Sequence, residues 1–182
     1  MNNKLYAIIG PPGSGKTTIV KRLKDFGIPV LVSHTTRPPK SNEKAGHDYY
    51  FVDQTTFSNM VFLEKVLYAN NLYGLTKDEV LNKVHNNPIS IVEIERNGLE
   101  QLKNLLGVRL ESIYILVDKN TLIERYVDQG EKFDSIKQRI KFVEENNEFN
   151  NWQIADHVVK NTNTIDITVR QILAIMGMTT IK

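Results

Sequence analysis

Short apolar runs alternate along this chain with stretches whose apolar residues recur at helical spacing. A short apolar run is typical of a buried strand, whereas apolar residues three and four positions apart indicate a helix. Strands that alternate with helices favour an α/β fold, and we expect a parallel five-stranded sheet core flanked by helices. The pattern predicts strands at 5–9, 29–32, 90–95 and 112–117, and a last helix at 165–176.

Residues that favour helix ends support these elements. Gly27 is placed to end the first helix. The run Thr76-Lys77-Asp78-Glu79 is a capping box, so a helix should begin there. Asp118 or Asn120 should cap a later helix, and Gly98 is expected in the turn that follows the third strand of the core.

Composition limits the class of protein. The 182 residues, of which 41% are hydrophobic and 24% charged, suffice for one compact domain with small insertions. A formal net charge of only +2 argues against a nucleic-acid partner. With no cysteine, the chain has no disulfide, thiolate nucleophile or cysteine metal ligand. The apolar run near the N-terminus is too short for a signal peptide or membrane span, so we expect a soluble, unprocessed, cytoplasmic protein without a membrane partner.

The first functional signal lies between the first strand and the first helix. The run Gly10-Pro11-Pro12-Gly13-Ser14-Gly15-Lys16-Thr17-Thr18 fits the phosphate-loop pattern G-x-x-x-x-G-K-[ST]. Its glycines permit a tight turn with N–H groups pointing inward, where they and the helix N-terminus attract phosphate oxygens. Lys16 is expected to reach the β and γ phosphates of a nucleotide, and Thr17 to offer its hydroxyl to Mg²⁺. The alternative is a glycine-rich turn with a solvated lysine, which the flanking strand and helix make less favourable.

A hydroxyl-rich, basic stretch follows the second expected strand. It runs Ser33-His34-Thr35-Thr36-Arg37-Pro38-Pro39-Lys40-Ser41-Asn42-Glu43, and its proline pair keeps the backbone extended. Open α/β sheets bind ligands at the C-terminal ends of their strands, where such a loop lies. By itself the stretch is equally compatible with an ordinary surface loop.

Four motifs in order, together with the phosphate loop, resemble the guanylate kinase family. They are the S-x-T-T-R-x-P-[RK] loop from Ser33, the G-x-D-Y-x-F-V strand from Gly46, the F-L-E element from Phe62 and the N-x-Y-G turn from Asn71. The resemblance covers most of the chain and is far more specific than the phosphate loop alone.

The resemblance implies a P-loop kinase fold in three parts, with residues 156–161 as the last strand of the core sheet. Residues 1–32 and 85–182 would form the P-loop core, residues 33–84 the inserted segment that binds a nucleoside monophosphate, and residues from about 126 to 138 a short lid. Below, residues 33–84 are called the acceptor segment.

The resemblance also implies the residues that bind GMP. Guanidinium, ammonium and phenol groups are donors that suit a dianionic phosphate, and a carboxylate can accept from guanine N1–H and the 2-amino group. The alternatives are aromatic packing for the tyrosines and a solvated strand face for Glu64. The implied phosphate ligands are Arg37, Lys40, Tyr49 and Tyr73, the implied base contacts are Ser33 and Glu64, and Glu43 and Glu95 complete the set.

Further family positions concern the metal, the lid and the adenine ring. The family has Asp-x-Asp where this chain has Glu93 and Glu95, and the resemblance implies that Glu93, with Thr17, serves the Mg²⁺ ion. Arg125 and Arg139 match lid arginines that, with Lys16 and Arg37, would surround the transferred phosphoryl group. The alternative for both is a solvated helix charge. Asn161 would lie at the adenine, completing an ATP site with the loop residues Gly10, Pro11, Pro12, Gly13, Ser14, Gly15, Lys16, Thr17 and Thr18.

The implied reaction converts ATP and GMP, or dGMP, to ADP and GDP in purine nucleotide metabolism, with small-molecule nucleotides as partners and a monomer or homodimer as the working unit. Two alternatives stay open. One is a kinase of another phosphomonoester, such as a ribose bisphosphate, since Lys40, Leu75, Glu95 and Gln129 depart from the family pattern. Position 75 usually carries Ser or Thr, whose hydroxyl meets the base. The other is a non-catalytic binding module, although such modules typically have degraded phosphate loops and this one is intact.

Overall fold

Two sheets and seven helices make up the part of the chain that the computed structural model describes, residues 3–162 and 164–178. The strands are β1 (Lys4–Ile9), β2 (His34–Thr35), β3 (Tyr50–Phe51), β4 (Phe62–Tyr68), β5 (Asn71–Thr76), β6 (Ile89–Glu93), β7 (Leu110–Leu116) and β8 (His157–Lys160). The helices are α1 (Lys16–Asp25), α2 (Gln54–Ser58), α3 (Lys77–Asn86), α4 (Arg96–Leu106), α5 (Lys119–Asp128), α6 (Phe133–Glu145) and α7 (Ile165–Ile175). Short 3₁₀ segments lie at Gly107–Arg109 and Glu148–Ile154. None of these helices is long and apolar enough to cross a membrane.

The core sheet is parallel, with strand order β6-β1-β7-β8. The predicted α/β class is therefore confirmed, but the sheet has four strands rather than five. The expected strand at 29–32 forms one bridge to β6, in which Leu31 N–H donates to Ile91 and Ile91 N–H donates to Pro29, both at 2.9 Å. The next N–H, that of Val32, donates to the carboxylate of Glu79 at 3.0 Å.

Helices cover both faces of the core sheet. Side chains of β1 alternate between two apolar clusters, with Tyr6 and Ile8 in one and Leu5, Ala7 and Ile9 in the other. Helices α1 and α7 complete the first cluster, and α3 and α4 complete the second. Because the strands are parallel, their carboxyl ends meet at one edge of the sheet, and the phosphate loop, Glu93 and Asn161 all follow strands at that edge.

The acceptor segment contains the second sheet, with strand order β3-β2-β5-β4. Strands β4 and β5 form an antiparallel hairpin whose turn has Ala69 and Asn70 at positive φ, 46° and 61°. Helix α3 leads from β5 back to the core, and the hydroxyl of its N-cap, Thr76, accepts from Glu79 N–H at 3.2 Å. The predicted cap is therefore present, while the carboxylate of Glu79 serves Val32 and Tyr50.

Leu75 lies inside the second apolar cluster, not at the edge of a pocket. Its side chain is 1% exposed and packs with residues of α3 and α4. This placement changes what a hydroxyl at position 75 would do. A serine there would leave a cavity and bury an unpaired polar group, instead of adding a contact to a bound base.

We expect Leu75→Ser to lower the free energy of unfolding by about 2–5 kcal/mol, the usual range for loss of a buried leucine side chain. Urea unfolding followed by circular dichroism measures this loss. Leu67→Ser is the matched control, because Leu67 lies on the neighbouring strand and is 65% exposed. The two variants unfolding at the same urea concentration would contradict the core assignment of Leu75.

Candidate active site

The phosphate loop connects β1 to α1 and has three glycines at positive φ. Gly10, Gly13 and Gly15 have φ values of 147°, 82° and 97°, which residues other than glycine rarely adopt. At Gly13 space matters as well, since a Cβ atom there would lie 2.6 Å from Oη of Tyr126. That hydroxyl donates to the C=O of Pro12 at 2.8 Å, so helix α5 holds the outer turn of the loop.

Lys16 begins α1, and its ammonium group lies over the loop. Nζ donates to the C=O groups of Gly10 and Pro11 at 2.8 and 3.2 Å. Burial lowers the pKa of this ammonium, and three carboxylates nearby act in the opposite direction. These carboxylates belong to Glu93, Glu95 and Glu148.

Thr17 and Glu93, the predicted metal residues, lie side by side. Thr17 Oγ1 is 2.9 and 3.0 Å from the two carboxylate oxygens of Glu93, at the carboxyl end of β6. Both side chains present oxygen atoms, which Mg²⁺ prefers as ligands. In the described ranges no group of three or more His, Cys, Asp or Glu is placed to hold a metal.

Arg125 and Asn161 both hold the backbone of the phosphate loop. Arg125 Nη1 donates to the C=O of Ser14 at 2.9 Å, and Nη2 donates to the C=O of Asn161 at 2.5 Å. Asn161 is buried, and its Nδ2 also donates to Ser14 C=O, at 2.8 Å. Thr168 Oγ1 donates to Asn161 Oδ1 at 2.9 Å. Arg125 is thus a partly buried side chain at the loop, not a solvated helix charge.

Arg139 contacts side chains near the phosphate loop, namely those of Glu131 and Tyr126. It forms an ion pair with Glu131 at 2.8 Å, and its guanidinium lies 5.3 Å from the ring centre of Tyr126. The side chain is 49% exposed. The predicted lid, residues 126–138, comprises the end of α5, a short turn and the start of α6.

In the acceptor segment, Arg37 is held by several groups. Its Nη1 and Nη2 donate to the two carboxylate oxygens of Glu43 at 3.0 and 2.8 Å, and Nε donates to Tyr73 Oη at 3.2 Å. The guanidinium also lies 5.5 Å from the ring centre of Tyr49. The backbone N–H of Lys40 donates to Glu43 at 2.8 Å, while the Lys40 side chain is exposed. The structure thus brings these five predicted GMP residues together.

The predicted base contacts lie elsewhere in the acceptor segment. Ser33 is half-buried beside β3, and its C=O accepts from Tyr50 N–H at 2.9 Å. Glu64 lies on β4 and faces α4, where a Cβ atom added to Gly98 would overlap its Oε2. Burial raises the pKa of Glu64 to about 7, and the charge of Glu95 acts in the same direction. Glu64 is therefore not on a solvated strand face.

Glu95 connects the two halves of the site electrostatically. It occupies the N-cap position of α4 and makes no side-chain cap hydrogen bond. Its charge acts on Lys16 in the phosphate loop and on Glu64 in the acceptor segment. Glu95 lines one cleft with Gly10 and Lys16 of the phosphate loop, and the carboxyl group of Glu64 faces the first turn of the helix that begins after Glu95.

Tyr126 and Glu148 are site residues that the motifs did not identify. Tyr126 follows Leu122 at helical spacing, which indicated an apolar face but not a contact with the loop. Glu148 lines the cleft with Lys16 and Glu95, and burial raises the pKa of its carboxyl group, with Glu95 adding to the effect. Glu148 lies in a 3₁₀ segment without periodicity, so no pattern drew attention to it.

Comparisons with known proteins agree with this architecture. A family model described as Guanylate kinase matches residues 2–178. The chain is 35% identical over 144 residues to a guanylate kinase of Prochlorococcus marinus, covering 75% of this chain and 78% of the relative. It is 33% identical over 185 residues to that of Prochlorococcus marinus subsp. pastoris, covering 95% of this chain and 96% of the relative.

Solved structures give the same fold. A guanylate kinase from Anaplasma phagocytophilum superposes with a TM-score of 0.67 at 24% identity, over 98% of this chain and 86% of that one. A gluconokinase from Sinorhizobium meliloti 1021 superposes with a TM-score of 0.55 at 16% identity, over 95% of this chain and 91% of that one. The structural likeness extends to other kinases, whereas the family match covers nearly all of this sequence, and we conclude that the chain belongs to the guanylate kinase family.

Proposed function

We propose that this protein transfers the γ-phosphoryl group of ATP to GMP or dGMP, giving ADP and GDP or dGDP. The observation that carries the proposal is the cleft itself. Gly10 and Lys16 of the phosphate loop line this cleft together with Glu95, and the half-buried carboxyl group of Glu64 faces the first turn of the helix that follows Glu95. A phosphate donor would suit the loop, and a base with two adjacent N–H donors would suit Glu64.

The loop backbone and Lys16 are suited to the phosphates of ATP. Loop N–H groups and the N-terminus of α1 attract phosphate oxygens, and Lys16 neutralises the charge that grows between the β and γ phosphates. Ser14 Oγ is buried and lacks a hydrogen-bond partner within the ranges that the structure describes, so the loop retains unused polar capacity. Arg125, Asn161 and Tyr126 hold the loop in shape from outside.

Thr17 and Glu93 would hold Mg²⁺, Thr17 through its hydroxyl and Glu93 at the water shell of the ion. When bound, the ion would offset negative charge on the phosphate oxygens. Both side chains are exposed, so their oxygen atoms are accessible to an ion.

The donors around Arg37 would orient the acceptor phosphate. Arg37, Tyr49 and Tyr73 form one cluster, and Glu43 fixes the plane of the guanidinium. An oxygen of the GMP phosphate forms the new bond to the γ-phosphorus while the bond from that phosphorus to the β-phosphate oxygen breaks, and ADP leaves. The attacking phosphate is already anionic, so no general base is required and positioning supplies most of the catalysis.

Glu64 would recognise guanine, and the lid would exclude water. An ionised carboxylate accepts one hydrogen bond from N1–H and one from the 2-amino group, a pair that adenine does not offer. Arg139 and Arg125 would bring positive charge to the transferred group as residues 126–138 cover the nucleotide. Without such cover ATP would be hydrolysed instead of transferred.

An acceptor panel tests the proposal. ADP release is measured with ATP, Mg²⁺ and, in separate reactions, GMP, dGMP, AMP, CMP, UMP and sugar phosphates including a ribose bisphosphate. We expect GMP and dGMP to be used far better than the others. Transfer to a sugar phosphate but not to GMP would establish the alternative kinase, and no transfer to any acceptor would favour a binding module.

We expect Lys16→Ala to lower kcat/KM about a hundredfold or more while the fold stays intact, because one preorganised electrostatic contact typically contributes on the order of 3 kcal/mol. Steady-state kinetics and thermal unfolding measure the two effects. Lys21→Ala is the control, since Lys21 lies on the same helix and is exposed. Near-normal activity of Lys16→Ala would refute the phosphate-loop assignment.

Glu64→Gln should raise the KM for GMP by about tenfold to a hundredfold and leave the KM for ATP nearly unchanged, since an amide offers a single acceptor oxygen and no charge. Glu100→Gln, an exposed position on α4, serves as the control. An equal loss with every acceptor would instead make Glu64 a structural residue.

The raised pKa of Glu64 also predicts a pH effect on stability. In the unfolded chain this carboxyl ionises near its ordinary pKa of 4.5, whereas in the folded protein it does so at about 7. Between these values the folded state retains the proton that the unfolded state loses, so the contribution of Glu64 to stability falls as pH rises through the window. The difference in unfolding free energy between wild type and Glu64→Gln should therefore decline from about pH 4.5 to about pH 7 in urea titrations. A constant difference would mean that the pKa is not raised.

A further inference from the structure

Gly98 is a glycine that the backbone does not require. It lies in the first turn of α4 and is buried, whereas the sequence predicted it in the preceding turn. Its φ is not among the positive values found at eight other glycines, so an alanine could adopt the same backbone. Glycine also favours a helix less than alanine does. A spatial reason must therefore account for the missing side chain.

The space beside Gly98 is filled by a side chain of the acceptor segment. A Cβ atom at position 98 would overlap Oε2 of Glu64 and would lie 2.5 Å from Cγ1 and Cδ1 of Ile94. The carboxyl group thus occupies the volume that an alanine methyl group would take. Since Ile94 is fixed in the core at 3% exposure, the methyl group could not be accommodated on that side without a shift of the core.

The contact joins two parts of the molecule. Glu64 belongs to β4 of the acceptor segment, and Gly98 belongs to a helix of the core that packs against this strand. The first turn of a helix favours a carboxylate, and the N-cap residue Glu95 does not fill this turn with a hydrogen bond of its own. The carboxyl group of Glu64 is therefore located by a core helix as well as by its own strand.

We propose that Gly98 is a positioning residue for guanine recognition, because its missing side chain creates the seat in which α4 holds the Glu64 carboxylate. The inference rests on the proposed function, in which Glu64 accepts hydrogen bonds from the base. A displaced carboxylate would still be present and charged, but it would no longer match both N–H donors of guanine.

Gly98→Ala tests the seat, with Asn97→Ala as the matched control. Asn97 is the preceding residue in the same helical turn and is exposed. We expect Gly98→Ala to raise the KM for GMP about tenfold or more, with kcat and the KM for ATP changed less than about twofold. Asn97→Ala should match the wild type. An unchanged KM for GMP in Gly98→Ala would overturn the inference.

A double-mutant cycle separates positioning from packing. If Gly98 acts through Glu64, then Gly98→Ala should cause no further loss of GMP affinity, measured by calorimetry, when Glu64→Ala is already present. Losses that simply add would overturn the inference. Thermal unfolding covers the case in which Gly98→Ala folds poorly. If Glu64→Ala restores the melting temperature that Gly98→Ala lowers, the proposed seat is supported. If Gly98→Ala lowers the melting temperature equally with Glu64 present and with Glu64→Ala, the overlap is with Ile94 and the proposed seat is rejected.

The activity of the wild-type protein with GMP distinguishes a failure of the proposed function from a failure of the role proposed for Gly98. If the wild type phosphorylates GMP and Gly98→Ala has the same KM for GMP, the role of Gly98 is rejected and the proposed function stands. Wild type that does not use GMP rejects the proposed function and the guanine role of Gly98 together, and the thermal comparison then still decides whether Glu64 is seated against α4.

Discussion

The nucleotide site depends on holding a glycine-rich backbone in one shape. Glycines make the loop possible, but the same freedom makes it costly to order. Side chains from distant parts of the sequence stabilise it, since Arg125, Asn161 and Tyr126 all bond to carbonyl oxygens of the loop. These contacts hold the carbonyl groups of the loop from outside, while within the loop Ser14 N–H donates to Pro11 C=O at 3.1 Å. Arg125 and Tyr126 lie on α5, which follows β7, and Asn161 directly follows the neighbouring strand β8.

Positively and negatively charged side chains lie close together in and beside the cleft. Lys16 is buried among carboxylates, and Glu64 and Glu148 are buried carboxyl groups on which the charge of Glu95 acts. Such an arrangement is costly when the groups ionise without partners. A triphosphate, a cation and a base with two N–H donors would each complement one of these groups. Binding sites commonly hold perturbed ionisable groups for this reason.

The sequence predicted the class of fold and most of the residues at the site, and the failures have physical causes. Apolar runs located three of the core strands and the family resemblance a fourth, but the run at 29–32 forms only a single bridge to β6. The family pattern marked Leu75 as a departure at a position that usually meets the base, but it could not reveal that this side chain packs in the core. Gly98 was expected in a turn because glycine is usual there, whereas contact with a distant side chain governs this position. Contacts of long sequence separation are what local patterns do not encode.

The carboxylate of Glu79 has a consequence for movement. It accepts from Val32, where the chain leaves the core, while Glu79 itself lies in the first turn of α3, where the chain starts its return. Tyr50 of the acceptor segment and Lys83 of α3 contact the same carboxylate, at 3.4 and 3.2 Å. One carboxylate therefore contacts both the segment by which the chain leaves the core and the helix by which it returns. Any movement of the acceptor segment that separates Val32 from the first turn of α3 would therefore have to break this hydrogen bond.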